Sequence, residues 1–108
     1  MDLSEACYRF TKSLPREELF GLISQIRRAV VSIPANIAEG YGRESRGAYV
    51  QFLKTAQGSL KELETHLLLT QRLDLGKPSE AEALLTHCDA IGRMLRGLIR
   101  SLKAAEED

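Results

Sequence analysis

The sequence predicts an all-α protein: an antiparallel up-down four-helix bundle with a kinked second helix. Three observations carry that expectation. Apolar residues recur every three or four positions in four separate segments. Leu, Ala, Glu, Lys and Arg, all good helix formers, dominate the composition. Alternating runs of Val, Ile and Thr, the mark of strands, are absent. At 108 residues the chain reads as a single domain, 1–108, long enough for a modest core.

The first helix is expected over about residues 2–12, with Leu3, Cys7 and Phe10 on one face. Leu14-Pro15 ends it, and Pro15 suits the first turn of the next helix. That second helix, about 16–39, places Glu17 and Glu18 at its positive end. Its apolar stripe is Leu19, Leu22, Ile23, Ile26, Val30, Ile33 and Ile37. Pro34 lies inside the stripe, where it removes one backbone bond and kinks a helix. Gly40 and Gly42 are expected to stop it.

The third helix, about 45–72, repeats Tyr49, Leu53, Ala56, Leu60, Leu63 and Leu67. Leu75-Gly76-Lys77-Pro78 breaks the pattern. The fourth helix, about 79–103, is expected to open on a Ser79–Glu82 capping box. Its seam is Ala81, Leu84, Cys88, Ile91, Leu95, Leu98 and Leu102. Two seams of alternating three- and four-residue steps favour bundle packing at small crossing angles. Gly58, Gly92 and Gly97 stand inside helices, where each costs about 1 kcal/mol against Ala. Glycines retained at that cost usually permit close helix approach.

Fifteen basic and fifteen acidic residues cancel, so the bulk field favours neither nucleic acid nor basic partners. The distribution is uneven: Glu106, Glu107 and Asp108 form an acidic tail. Cys7 and Cys88 have no CxxC spacing, lie on apolar faces and read as buried free thiols of a reducing compartment. The start of the chain lacks a basic region followed by a long apolar stretch, and no apolar run approaches a membrane span. A cytoplasmic protein without membrane partners is expected.

Two polar rows stand out. On the second helix Gln25, Arg28, Ser32, Asn36 and Glu39 follow at steps of three or four, and Arg43 continues the row if the helix persists through the glycines. At about 100° per residue the row lies roughly 140° from the apolar stripe. Amides, a hydroxyl and Arg suit a hydrogen-bonded contact better than a freely solvated face. Three readings stay open: an intramolecular brace, a subunit interface, or a ligand site. On the fourth helix Arg93, Arg96, Arg100 and Lys103 share a face. They are candidate phosphate contacts, for which the acidic tail would compete; the alternative is a solvated face. No aromatic interleaves them, so base stacking is not indicated.

Catalytic and metal patterns are not found. His66 and His87 flank the seams, and Glu62–His66 lacks the duplicated Glu-x-x-His motif of di-iron bundles. Glu62 and Glu64 fall on different helix faces; a structural pairing of one of them with Arg27 or Arg28 is expected. No metal, no cofactor and no enzymatic activity are expected.

The stretch LPREELFGLISQIRRAVVSIPANIAEGYGR, residues 14–43, resembles a bacterial family named after open reading frames in intervening sequences of 23S rRNA genes. Some of its members were once labelled a small-subunit ribosomal protein. Pro15, Glu17, Glu18, Gly21, Gln25, Arg27, Arg28, Ser32, Pro34, Asn36, Glu39, Gly40, Gly42 and Arg43 carry the likeness. Phe52, Leu53, Ala56, Gly58, Ser59, Leu60, Glu62 and Glu64 extend it into the third helix. The resemblance implies a four-helix bundle assembling as a ring-shaped homopentamer. A distant branch, the accessory protein of diversity-generating retroelements, binds nucleic acid and a reverse transcriptase through a basic surface; the zero net charge of this chain departs from that pattern. The expected function is therefore a non-enzymatic homo-oligomeric assembly protein that associates with RNA, DNA or a nucleic-acid enzyme. The alternative is a protein-binding scaffold without a nucleic-acid role.

Overall fold

Helix lengths set the shape of this bundle. A computed structural model describes residues 2–107, and for residues 18–20, 106 and 107 it describes the backbone alone. The expectations for Glu18, Leu19 and the acidic tail therefore fall outside the described side chains. Four α-helices follow one another: α1 (Asp2–Lys12), α2 (Ser24–Tyr41), α3 (Arg46–Arg72) and α4 (Pro78–Glu107). A 3-10 turn, Arg16–Glu18, and a π turn, Leu19–Ile23, join α1 to α2. α2 packs on α3 and α3 on α4, while α1 closes the bundle against α2 and α4. At 1.5 Å per residue α1 is only about 16 Å long against about 40 Å for α3. One end is thus built from four helices and the other from three, in a molecule 51 × 21 × 19 Å.

The second helix begins later than its pattern predicts. Gly21, inside the π turn, takes non-helical angles (φ −96°, ψ −107°) and breaks the pattern there, so the regular α-helix begins only at Ser24. Glycine is the residue that gives up helical geometry most cheaply. α2 then stays helical through Pro34 to Tyr41 and stops at the expected glycines. Gly40 lies inside the helix, and Gly42 caps it at φ −77°, without a left-handed turn. What Gly40 provides is room: a Cβ there would stand 2.7 Å from the Phe52 Cβ of α3.

α3 matches its expected bounds because Ser45 is its N-cap, accepting from the Ala48 N–H at 3.0 Å. Its turn to α4 uses two left-handed residues, Asp74 (φ 55°) and Gly76 (φ 70°). The expected Ser79–Glu82 capping box does not form. α4 starts one residue earlier, at Pro78, which suits the first helical position because its missing N–H has no helical partner. The Lys77 carbonyl accepts from the Glu80 and Ala81 N–H groups, and Glu82 instead accepts from Gln71 Nε2 at 3.4 Å.

The core follows the predicted seams. Leu3, Cys7 and Phe10 of α1, Ile26, Val30 and Ile33 of α2, and Leu53, Ala56, Leu60, Leu63 and Leu67 of α3 are buried. On α4 the buried row runs Ala81, Leu84, Cys88, Ile91, Leu95 and then Ile99, while Leu98 and Leu102 are half-buried. A straight helix turns 3.6 residues per repeat, so a 3.5-residue seam drifts by about 20° per heptad and passes from Leu98 to Ile99. Of the three glycines noted above, only Gly92 meets a neighbouring helix, with Leu60 Cδ2 3.4 Å from a Cβ built there; Gly58 and Gly97 face open space.

Candidate functional site

The polar row of α2 lies along its seam with α3. At its centre the Ser32 and Ser59 hydroxyls are 2.7 Å apart. Asn36 Nδ2 donates to the Ser32 carbonyl (2.8 Å) and hydroxyl (3.0 Å), which leaves the Ser32 proton free to reach Ser59. Below, Gln25 accepts from Arg28, Arg28 stands 3.6 Å from Glu62, and Glu62 stands 3.6 Å from His66 Nε2. The expected pairing of an α2 arginine with an α3 glutamate is thus present. Above, Arg43 pairs with Glu39 at 2.6 Å and covers the Phe52 ring at 5.2 Å. Gln25, Arg28, Ser32, Asn36, Glu39 and Arg43 are therefore brought together on one seam, bonded within their helix or to α3.

Burial along the row is uneven. The Arg28 and Glu62 side chains are largely exposed, so their pair is worth at most about 1 kcal/mol. Both ring nitrogens of His66 are buried without a hydrogen-bond partner. Among the described residues no third metal-ligating side chain joins Glu62 and His66. The outward face of α2 is different again: Val31, Ala35 and Ala38 are exposed, and no charged residue occurs between Arg28 and Glu39.

Two α1–α2 contacts, and one bond within α1 that supports them, had no signal in the sequence pattern. Arg27 Nε donates to the buried Thr11 hydroxyl at 2.9 Å, Thr11 donates to the Tyr8 carbonyl at 2.9 Å, and the Arg27 guanidinium lies 4.9 Å over the Tyr8 ring. They depend on how α1 is set against α2, which helical periodicity does not specify.

The cations of α4 divide. Arg93 stands 3.5 Å from Asp89 on its own helix. Arg96 lies over Gly92 and, with Gln57, Gly58, Leu60 and Lys61 of α3, lines a groove of about 270 Å³. Lys103 comes beside Lys54 of α3, and the repulsion of the two like charges lowers the Lys54 pKa. Arg100 is exposed. Lys54, Gln57 and Lys61 have no helical period linking them to the α4 row; only the antiparallel pairing of α3 and α4 brings them to it.

Cys7 and Cys88 are fully buried free thiols. Burial pushes Cys7 up to about 12, and burial, then Cys7 and then Glu64 bring Cys88 to about 12 as well.

A family model of the 23S rRNA-intervening sequence protein matches residues 1–97. The chain belongs to that family. It is also similar to a crystal structure from Bacteroides thetaiotaomicron, described as a protein of unknown function from the S23 ribosomal protein family. The two are 26% identical, with 90% of this chain and 97% of that chain covered and a TM-score of 0.75. No curated protein matches. The 23S rRNA-intervening sequence fold is thus shared over nearly the whole chain, and the relative's own function is not known.

Proposed function

We propose that this family member is a non-enzymatic subunit of a homo-oligomer, five copies being the count its family resemblance implies, and that the assembly associates in the cytoplasm with RNA or with an enzyme acting on nucleic acid. The observation that carries the reading is the outward face of α2. Val31, Ala35 and Ala38 recur at steps of four and three on an exposed face, and the ten residues from Ala29 to Ala38 carry no charge. A solvated helix face is normally charged, and depletion of charge marks the centre of protein interfaces. The polar row beside this face, with the exposed Arg28 and Glu39–Arg43 pairs at its ends, supplies a rim.

The non-enzymatic reading is supported by the state of the thiols. Cys7 and Cys88 are the chain's most nucleophilic side-chain type, and both are shut in the core with their ionisation pushed far above neutral pH. Free buried thiols also suit a reducing compartment. Among the described residues no helix is long and apolar enough to cross a membrane.

A second reading, a scaffold for another protein without nucleic acid, draws on a different patch. Leu68, Leu69 and Leu73 are exposed together near the end of α3, beside Thr65 and Arg72. Multi-angle light scattering tests the first reading. The wild-type chain is expected at several times 12.0 kDa. Val31→Glu with Ala35→Glu is expected to shift it to the monomer with helical content unchanged. A monomeric wild type at micromolar concentration, or a double variant that assembles normally, would remove α2 as the assembly face.

A further inference from the structure

The α3–α4 groove has a charge arrangement that folding alone does not explain. α4 runs antiparallel to α3, so Gly92 lies against Leu60 and Lys103 lies beside Lys54. Lys61 and Arg96 face the same groove seven residues away along each helix. Two pairs of like charges therefore stand across one groove, about 10 Å apart along its length at 1.5 Å per residue. Opposed like charges cost stability, and a chain with as many acids as bases had ready alternatives. Among the described residues none of Lys54, Arg96, Arg100 and Lys103 is in an ion pair; the exposed Lys61 is 3.7 Å from the half-buried Glu64.

The floor between the pairs is open. Nothing lies within 4 Å of a Cβ built on Gly58, while Gly92 is buried at the helix crossing beneath Arg96 and against Leu60. Gln57 adds an amide, a donor and an acceptor in one side chain, between the two cation pairs. No aromatic lines the groove, so the bases of a bound strand would have nothing to stack on.

We infer that the groove between α3 and α4 seats the phosphate backbone of RNA, held by Lys54 and Lys103 at one end and by Lys61 and Arg96 at the other. Gln57 lies where a ribose 2′-hydroxyl, both donor and acceptor, would be met. Binding is phosphate-led, tolerant of sequence and steep in salt. Arg93, engaged with Asp89, is outside the site. The oligomer repeats the groove in each subunit and raises avidity without a new contact. This inference rests on the nucleic-acid part of the function proposed above and adds α3 to it.

The test is a fluorescence anisotropy titration of a structured RNA hairpin with the full chain between 50 and 200 mM salt, light scattering being run on every variant. Lys54→Ala with Lys103→Ala is expected to weaken binding at least tenfold at low salt. It should also reduce the salt slope by roughly 1.4–1.8, near 0.7–0.9 for each phosphate that is no longer neutralised. Gly58→Met, which changes no charge and whose Cβ has nothing within 4 Å, is expected to weaken binding by filling the floor. Arg93→Ala is expected to bind as wild type. If the wild type binds but both groove variants bind equally well, the groove is overturned while the RNA association stands. If the wild type does not bind at 50 mM salt, both fail, and the scattering data judge the assembly reading separately. Displacement of the RNA by polyglutamate at equal charge concentration would show a general anion exchanger and overturn the inference.

Discussion

Gly40→Ala and Gly97→Ala are the same chemical change in two helices, and the structure predicts opposite signs. In both, alanine gains about 1 kcal/mol of helix propensity over glycine. At Gly97 nothing lies within 4 Å of the added methyl, so most of that gain should be kept. At Gly40 the methyl would stand 2.7 Å from Phe52 Cβ, 2.9 Å from a Tyr49 ring carbon and 3.3 Å from the Tyr49 carbonyl oxygen. The Tyr49 ring can turn, but Phe52 Cβ is fixed to the α3 backbone, so α2 and α3 must move apart. Overpacking of this kind costs about 1–3 kcal/mol. Net of the propensity gain, Gly40→Ala should destabilise by up to about 2 kcal/mol. With an unfolding entropy near 2.1 cal/mol/K per residue, each kcal/mol is about 4 °C for a chain of this size. Differential scanning calorimetry at one fixed protein concentration should show Gly40→Ala melting below wild type, by up to about 8 °C, and Gly97→Ala about 2–4 °C above it. Fixed concentration matters because assembly makes the midpoint concentration-dependent. A Gly40→Ala protein that melts at or above wild type would refute the close α2–α3 approach.

Two further outcomes follow from the seam and from the thiols. A double-mutant cycle of Ser32→Ala and Ser59→Ala, read by urea unfolding, should give a coupling of about 0.5–1.5 kcal/mol; Arg28→Ala, at an exposed pair, should cost less than about 1 kcal/mol, and a larger loss would place Arg28 in a buried contact. Cys7 and Cys88 have folded pKa values raised to about 12, above the ordinary 9.0, so their contribution to stability is complete below pH 9 and is lost as pH rises toward 12. Native protein at pH 8 should therefore resist a thiol reagent that modifies both cysteines at once in denaturant, and rapid native labelling would show that the core opens around them.

The sequence by itself determined the helices and most of the core, because burial follows a local period. Leu53, Ala56, Leu60, Leu63 and Leu67 lie inside at the positions their spacing assigns, and Ser45 caps α3 where a hydroxyl before a helical pattern should. It also determined that Gln25, Arg28, Ser32, Asn36 and Glu39 share one face, whereas Arg43 lies past the end of α2 at Tyr41. The start of α2 was not legible in this way: an apolar stripe continues through residues 19–23, and periodicity does not register a backbone break at Gly21. What that polar face meets was decided only by the tertiary structure. The Ser32–Ser59 and Arg28–Glu62 pairings depend on how α2 is rotated and offset against α3. The meeting of Lys54 with Lys103, and of Lys61 with Arg96 around Gly58 and Gly92, depends in the same way on the antiparallel register of two helices joined by the turn at Asp74 and Gly76. Spacing along one helix fixes a face; only packing fixes which faces oppose each other.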